Sequence, residues 1–311
     1  MQYIRNTLEF HIEEDSVITL GKFDGLHRGH ELLMRTVQAE SKAHNLKSIV
    51  FTFNIPPRNQ VDGTSSRVLT TNAEKHMVFE REGIDYLIEC PFTPEVMKMA
   101  PEDFIAWIVN RLHVKVIVVG KDFRFGYRRG GDYKLLIQCE ERYGYRTIVK
   151  EKMQEDGRDI SSSYVRERIA MGDIEKANRL LGYPYFICSK VIHGNRIGRT
   201  IGIPTINMAL DPCKQVPLLG VYVSRVTING KTYMGVSNIG RKPTISGDNP
   251  IGIETYIIGF EGDVYDEILT VELLSFVRPE MKFASIPALQ RQMEKDIRTA
   301  VNFAQKMKNN S

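Results

Sequence analysis

The feature that most constrains this chain is a change of texture near Phe186. Before it, short β-branched runs alternate with stretches of helical period; after it, strands follow one another through tight, glycine-bearing turns. Alternating strands and helices build a parallel sheet covered by helices, because each parallel pairing needs a long crossover. Strands joined directly by tight turns build an antiparallel sheet, and closing that sheet into a barrel removes its edges. The expectation is an α/β domain over residues 1–183 and an antiparallel β-barrel domain over residues 184–311, two domains of ordinary size in 311 residues.

Period and punctuation place the elements. Ser16–Leu20, Ser48–Phe53, Tyr86–Ile88, Val114–Val119 and Thr147–Val149 read as buried strands of the first domain. Helices are predicted over His30–His44, Ala73–Glu82 and Pro101–Leu112. The last carries Pro at its first position and Glu102 and Asp103 in its first turn, where the helix dipole favours negative charge. Ser163–Met171 and Asp173–Leu181 read as two short helices, the second with an Asp N-cap and a stop at Gly182. In the second domain Val221–Ile228, Thr232–Val236, Glu254–Ile258 and Leu269–Phe276 read as strands, with Asn229-Gly230 as a hairpin turn. Ile286, Leu289, Met293, Ile297, Ala300, Ala304 and Met307 form the stripe of an amphipathic terminal helix expected to lie against the barrel.

Composition narrows the function. Lys and Arg total 42 against 38 Asp and Glu, and a net charge of +4 is too small to indicate nucleic acid or an anionic membrane as partner. No apolar run reaches the roughly 18 residues that a membrane span needs. The start lacks the basic and apolar regions of a signal peptide. Cys90, Cys139, Cys188 and Cys213 form no C-x-x-C pair, which argues against a zinc site or a disulfide framework. The expectation is a cytoplasmic protein acting on small molecules, with its oligomeric state open.

The strongest chemical signal is Gly21-Lys22-Phe23-Asp24-Gly25-Leu26-His27-Arg28-Gly29-His30, placed where the first strand ends and the first helix begins. In an open α/β sheet ligands bind at such a junction. Its glycines let the backbone approach a bound group, and a helix N-terminus offers free N–H donors to phosphate. Two imidazoles three residues apart can donate to a phosphoryl oxygen as negative charge builds on it. The bland alternative is a pair of capping or surface histidines.

The segment resembles the H-x-G-H signature of the nucleotidyltransferase superfamily, Rossmann-like enzymes that transfer AMP or CMP from a triphosphate with release of pyrophosphate. Together with Val118–Gly126, Arg128-Arg129-Gly130-Gly131 and Ile160–Arg166, it is similar to the adenylyltransferase domain of bacterial bifunctional riboflavin kinase/FAD synthetases. The resemblance implies that His27 and His30 are catalytic. It also implies that Gly21, Phe23, Asp24, Gly25, Gly29, Ser161, Ser162, Ser163 and Arg166 hold ATP and its phosphates. Asp122, Phe123, Phe125 and Gly126 would line the flavin and nucleotide cleft. Taken alone, Phe123 and Phe125 read more readily as core aromatics, and Arg124, Arg128 and Arg129 equally as a solvated basic face. Pro56 stands where the family usually carries a histidine, and Pro has neither a donor nor a titrating group.

A second constellation spans residues 194–208. Gly194, Gly198 and Gly202 recur every four residues in a loop able to close over phosphates, with Arg196 and Arg199 as charge partners. If the following stretch is extended, Thr205 and Asn207 face one way as neutral oxygen ligands suited to Mg²⁺; the alternative is a hairpin whose side chains satisfy its own backbone. The loop and Pro204-Thr205-Ile206-Asn207 resemble the riboflavin kinase domain's Gly-rich loop and Pro-Thr-Ala-Asn motif. Gly235–Thr244, Glu254-Thr255-Tyr256 and Phe260–Tyr265 continue the match in order. The resemblance implies that Glu254 is the catalytic base of a kinase, with Thr205 and Asn207 toward Mg²⁺.

The expected protein is thus bifunctional. It would phosphorylate riboflavin with ATP to FMN, then adenylylate FMN with a second ATP to FAD. Two rivals are another H-x-G-H adenylyl or cytidylyl transferase with an accessory barrel, and a nucleotide- or nucleic-acid-binding module built on an OB-like barrel.

Overall fold

In the computed structural model of the chain, residues 1–54, 67–194, 198, 202–241 and 251–309 are described. The chain divides into two compact units, Met1–Ser162 and Ser163–Ser311. The first unit contains β1 (Gln2–Arg5), β2 (Ser16–Leu20), α1 (Arg28–His44), β3 (Lys47–Asn54), α2 (Asn72–Arg81), β4 (Tyr86–Pro91), α3 (Pro94–Lys98), α4 (Pro101–Leu112) and β5 (Val114–Gly120). It continues with β6 (Arg124–Phe125), β7 (Gly131–Asp132), α5 (Tyr133–Gln138), α6 (Glu140–Tyr143), β8 (Arg146–Lys150), β9 (Gln154–Glu155) and β10 (Arg158–Asp159). After α7 (Ser162–Ala170) and α8 (Ile174–Leu181), the second unit contains β11 (Phe186–Ile192), β12 (Thr205–Ala209), β13 (Gly220–Ile228), β14 (Lys231–Arg241), β15 (Ile251–Ile257), β16 (Ile268–Pro279) and α9 (Ile286–Asn309).

The first unit is the expected parallel sheet, in the order β1-β4-β3-β2-β5-β8. Its central strands are covered on both faces, so they read as continuous apolar runs; all five residues of β2 are buried. From β2 the chain steps outward to β3 and β4, then crosses back to lay β5 on the other side of β2. That reversal opens a crevice at the carboxyl ends of β2 and β5, the place where open α/β sheets bind ligands. The edge strand β1 was not anticipated: four residues without alternation give no pattern, and it is fixed by parallel pairing with β4.

The second unit is a closed antiparallel barrel, β11-β12-β15-β14-β13-β16. Asn229 and Gly230 both adopt positive φ, 48° and 75°, as a two-residue turn matched to the strand twist requires. Inside the barrel the hydroxyls of Ser224, Ser237 and Thr255 bond one another at 2.7 Å, which satisfies polar groups that apolar surroundings would otherwise penalise. The expected boundary after residue 183 differs from the division into compact units, because α7 and α8 belong to the second unit. Asn178 of α8 donates to the Leu273 carbonyl of β16 at 2.9 Å and accepts from the Tyr185 amide at 2.7 Å.

Helix α9 lies on the barrel as expected, but its stripe is only partly covered: Ile286 and Met307 at its ends are exposed, and its buried residues are Asp296 and Ala300. Asp296, 3% exposed, accepts from Arg278 of β16 at 2.8 and 3.1 Å through two guanidinium nitrogens. Removing one partner of such a pair leaves a buried charge uncompensated. Asp296→Ala is therefore expected to destabilise the barrel by about 3 kcal/mol. Urea unfolding would check this, and an unchanged midpoint would show that α9 is held by its apolar contacts alone.

Candidate active sites

The turn after β2 is built by close approach. Gly25 has φ +61°, and a Cβ there would lie 2.5 Å from the Leu69 side chain, so only glycine fits. Asp24 fastens the same turn: its Oδ1 accepts from the amides of Leu69 at 2.7 Å and Thr70 at 3.3 Å, while its carbonyl accepts from the Ser162 hydroxyl at 2.8 Å. The Thr70 hydroxyl accepts from the Gly25 amide at 3.1 Å. Phe23, fully buried with φ 46°, packs edge-on against His30 and Phe79. Gly21 lies against the Phe23 ring, and Gly29 against the His27 ring.

These contacts bring the two histidines together. The rings of His27, at the N-cap of α1, and His30 stack with centroids 3.8 Å apart and planes 15° from parallel. The Nδ1 atoms of both are buried without a hydrogen-bond partner among the described residues. Burial pushes His27 down to about 4, against the opposing pull of its own backbone and Asp122. His30 is held well below its ordinary value by burial and then by His27. Both imidazoles are therefore neutral at neutral pH, which two stacked rings require, since two adjacent imidazoliums would repel. Arg28 pairs with Glu155 and fixes the β9–β10 hairpin to the start of α1.

The segment after β5 supplies the other side of the crevice. The Asp122 carboxylate is largely exposed and lies 3.1 Å from Lys152, which also reaches Asp159 at 3.2 Å. Phe123 and Phe125 stack at 5.5 Å, but Phe125 is buried against Phe104 in the core, so its main role is packing. Gly126 abuts Pro101 at the start of α4. Arg124 pairs with Asp132 at 3.2 Å, and Arg128 and Arg129 take consecutive left-handed conformations, φ 50° and 59°. Ser161 and Ser162 close the first unit; the exposed Ser163 and half-buried Arg166 follow on α7 in the second.

In the barrel, strand register assembles the second set. The stretch at Thr205 is indeed extended, and Asn207 of β12 stands directly opposite Glu254 of β15, while Thr205 stands opposite Tyr256. Directly paired residues share a face, so Thr205, Asn207 and the half-buried Glu254 form one oxygen-rich surface. Asn238 of β14 faces Glu254 from its other side. Sequence reasoning did not single out Asn238, because only the long-range register brings it there. Gly194 lies against the Asn207 amide, 2.3 Å from Nδ2 for an added Cβ, so a side chain here would displace that amide. The Gly198 carbonyl accepts from the Ile203 amide at 2.8 Å, and Gly202 is exposed. Arg196, Arg199 and Pro56 lie outside the described residues. A pocket of about 70 Å³ opens beside Thr205, lined by Val191, Ile206, Ile257, Phe260, Val264 and Tyr265 among others.

Residues 9–164 match the protein family described as FAD synthetase, and residues 181–304 the family described as riboflavin kinase. The chain is 36% identical over 290 residues to a Haemophilus influenzae protein named bifunctional riboflavin kinase/FMN adenylyltransferase, covering 92% of this chain and 93% of that one. Proteins of the same name from Escherichia coli and Bacillus subtilis are each 36% identical, over 94% and 93% of this chain and 93% and 92% of theirs. A solved Streptococcus pneumoniae structure titled macrolide-efflux protein superposes with a TM-score of 0.86 at 30% identity, covering 97% of this chain and 98% of that chain. Among the described residues of the present chain, no helix is long and apolar enough to cross a membrane.

The buried imidazoles predict an acid sensitivity of defined sign. Below about 6.5 the unfolded chain protonates His27, whereas the folded chain does not until about 4. The unfolded state thus binds more protons across that window, and stability is lost as pH falls through it, by about 3 kcal/mol for His27. Denaturant unfolding at pH 7 and pH 5 should show a loss in the wild-type chain that is reduced in His27→Asn. An equal loss in both would place the sensitivity elsewhere.

Proposed function

Because the chain belongs to the family of bifunctional riboflavin kinase/FMN adenylyltransferases, it converts riboflavin to FMN and FMN to FAD, and we propose that these two reactions are divided between its two sets of residues. Residues 1–183 are assigned adenylyl transfer and residues 184–311 the kinase step. The observation that carries the division is that each family match contains one complete constellation, the His27/His30 stack in the first and the Thr205–Asn207–Glu254 surface in the second.

In the first site the FMN phosphate attacks the α-phosphate of ATP and pyrophosphate leaves. The neutral imidazoles of His27 and His30 donate to phosphoryl oxygens as charge develops, and the start of α1 adds backbone donors. Ser161 and Ser162 are assigned to the ATP phosphates. Asp122 and Phe123 are assigned to the flavin side. Phe125 and Gly126 act there chiefly by holding Phe123 and the turn in place, and Asp24 and Gly25 by holding the histidines.

In the second site Glu254 takes the proton of the ribityl 5′-hydroxyl as that oxygen attacks the γ-phosphate. Gly194, Gly198, Gly202, Arg196 and Arg199 are assigned to the ATP phosphates, and the apolar pocket beside Thr205 to the rest of the nucleotide. The donor set fits Mg²⁺, since the Thr205 hydroxyl, the Asn207 amide oxygen and the Glu254 carboxylate offer hard oxygens on one face. Among the described residues no group of three His, Cys, Asp or Glu could hold a metal, so Thr205 and Asn207 would share it with phosphate oxygens and water. Bound there, Mg²⁺ would offset phosphate charge. Free thiols at all four cysteines suit a reducing, cytoplasmic setting.

The rival readings, a different H-x-G-H transferase and a binding module, leave the riboflavin kinase match over residues 181–304 without an account. The test separates the two activities in one chain. His27→Asn and His30→Asn should each lower FAD formation by about 10²–10³-fold while FMN formation continues. Glu254→Gln should stop FMN formation from riboflavin yet leave FAD formation from supplied FMN. Both activities falling together in either variant would contradict the division.

A further inference from the structure

The chain between β8 and α7 is held in place by more than its own packing. Residues 154–159 form a minimal hairpin: β9 and β10 pair only through Arg158 with Glu155 and Asp159 with Gln154. Its turn, Asp156-Gly157, has φ 53° and 73°, the left-handed region that a tight hairpin needs. Of residues 151–160 only Ile160 is buried, and its amide donates to the Met153 carbonyl at 2.9 Å across the base of the hairpin. Two residue pairs without a buried face are not stable by themselves, so the position of this hairpin is set from outside.

Charged side chains set it. Arg28, the first residue of α1, donates to Glu155 of β9 at 2.5 Å, and the Glu155 side chain is only 17% exposed. On the other side Lys152 bridges Asp122, which follows β5, and Asp159 of β10, at 3.1 and 3.2 Å. Gln154 donates to the same Asp159 carboxylate at 2.8 Å. Helix α1 follows β2, and β2 and β5 are the neighbours between which the crevice opens, so the hairpin is tied to both of its sides. The tie through Glu155 is the better shielded of the two, and a shielded charge-assisted bond fixes geometry more firmly than a solvated one. From the hairpin the chain runs directly into Ser161 and Ser162, and the Ser162 hydroxyl donates at 2.8 Å to the Asp24 carbonyl, in the turn that leads to His27 and His30.

We propose that the Arg28–Glu155 pair positions ATP for adenylyl transfer: by seating the hairpin on the start of α1, it sets Ser161 and Ser162 where they meet a triphosphate held at the His27/His30 turn. Arg28 acts through Glu155 and not on the nucleotide itself, so both are positioning residues. On the adenylyl-transfer reading of the first site, on which this rests, the effect falls on ATP and spares FMN. Two residues that work through one contact give losses that do not multiply, which separates this role from direct binding by Arg28.

The test uses the full chain and the variants Glu155→Ala, Glu155→Gln, Arg28→Ala and Arg28→Ala/Glu155→Ala. For each, kcat, KM for ATP and KM for FMN in FAD formation are measured, together with FMN formation from riboflavin and thermal unfolding. Glu155→Ala and Arg28→Ala should each raise KM for ATP about tenfold, with KM for FMN and FMN formation unchanged. The double variant should show about the same tenfold rise and not a rise of about a hundredfold. Glu155→Gln, which keeps an oxygen for the Arg28 guanidinium without emptying the position, should stay closer to the wild-type chain than Glu155→Ala. These results support the proposal. Single losses that multiply in the double variant would show Arg28 acting on the nucleotide directly and overturn it. A Glu155→Ala chain with wild-type KM for ATP, whether or not its unfolding midpoint falls, overturns it too, as does one in which KM for ATP and KM for FMN rise together. Failure of the wild-type chain to form FAD would instead overturn the adenylyl-transfer reading, and the proposal with it.

Discussion

The first site depends on a turn that Asp24 fastens. Asp24 grips the Leu69 and Thr70 amides with its carboxylate and the Ser162 hydroxyl with its carbonyl, and the neighbouring Gly25 passes too close to Leu69 for any side chain. Without that grip the chain between β2 and α1 has no reason to hold two imidazoles in a buried stack, because stacking them forfeits solvation of polar nitrogens. The cost of the arrangement appears in the depressed basicity of both rings. A site of this kind is preorganised: its donors are in place before negative charge develops, which is where electrostatic catalysis gains most.

The two halves reach that state by different geometry. In the parallel sheet, the residues proposed for adenylyl transfer collect where the strand order reverses, at the ends of β2 and β5. In the barrel it collects on strands: Asn207, Glu254 and Asn238 are brought side by side by register alone, across β12, β15 and β14. Strand-borne groups are held more rigidly than loop-borne ones, which suits the proton-accepting role proposed for Glu254. Gly194 approaches the Asn207 amide closely at the edge of that surface.

Much of this was legible in the sequence because it is written locally. Val116–Val119 is a run of apolar residues that only a covered strand tolerates, and the Gly21–His30 spacing sits at a strand–helix junction that period alone identifies. What escaped was written in distant pairings. β1 is too short and too polar to show a period, yet it carries Tyr3 to Glu89. Asn238 is one polar residue among many until register sets it beside Glu254. Phe125 and Gly126 lie in the motif expected to line the flavin cleft, and the structure packs Phe125 against Phe104 and Gly126 against Pro101, contacts that spacing alone does not reveal. In α9 the apolar stripe predicted burial along its whole length, whereas a buried Asp296–Arg278 pair anchors its middle and its ends stay exposed.

The central claim is that a single chain carries both reactions in series, the kinase step supplying the acceptor for adenylyl transfer. The most direct measurement is a time course of the purified wild-type chain with riboflavin, ATP and Mg²⁺, with riboflavin, FMN and FAD resolved by chromatography and pyrophosphate followed in parallel. The account predicts that riboflavin falls, FMN rises first, and FAD then appears with an equal amount of pyrophosphate. Unchanged riboflavin, or FMN that accumulates with no FAD and no pyrophosphate, would contradict it.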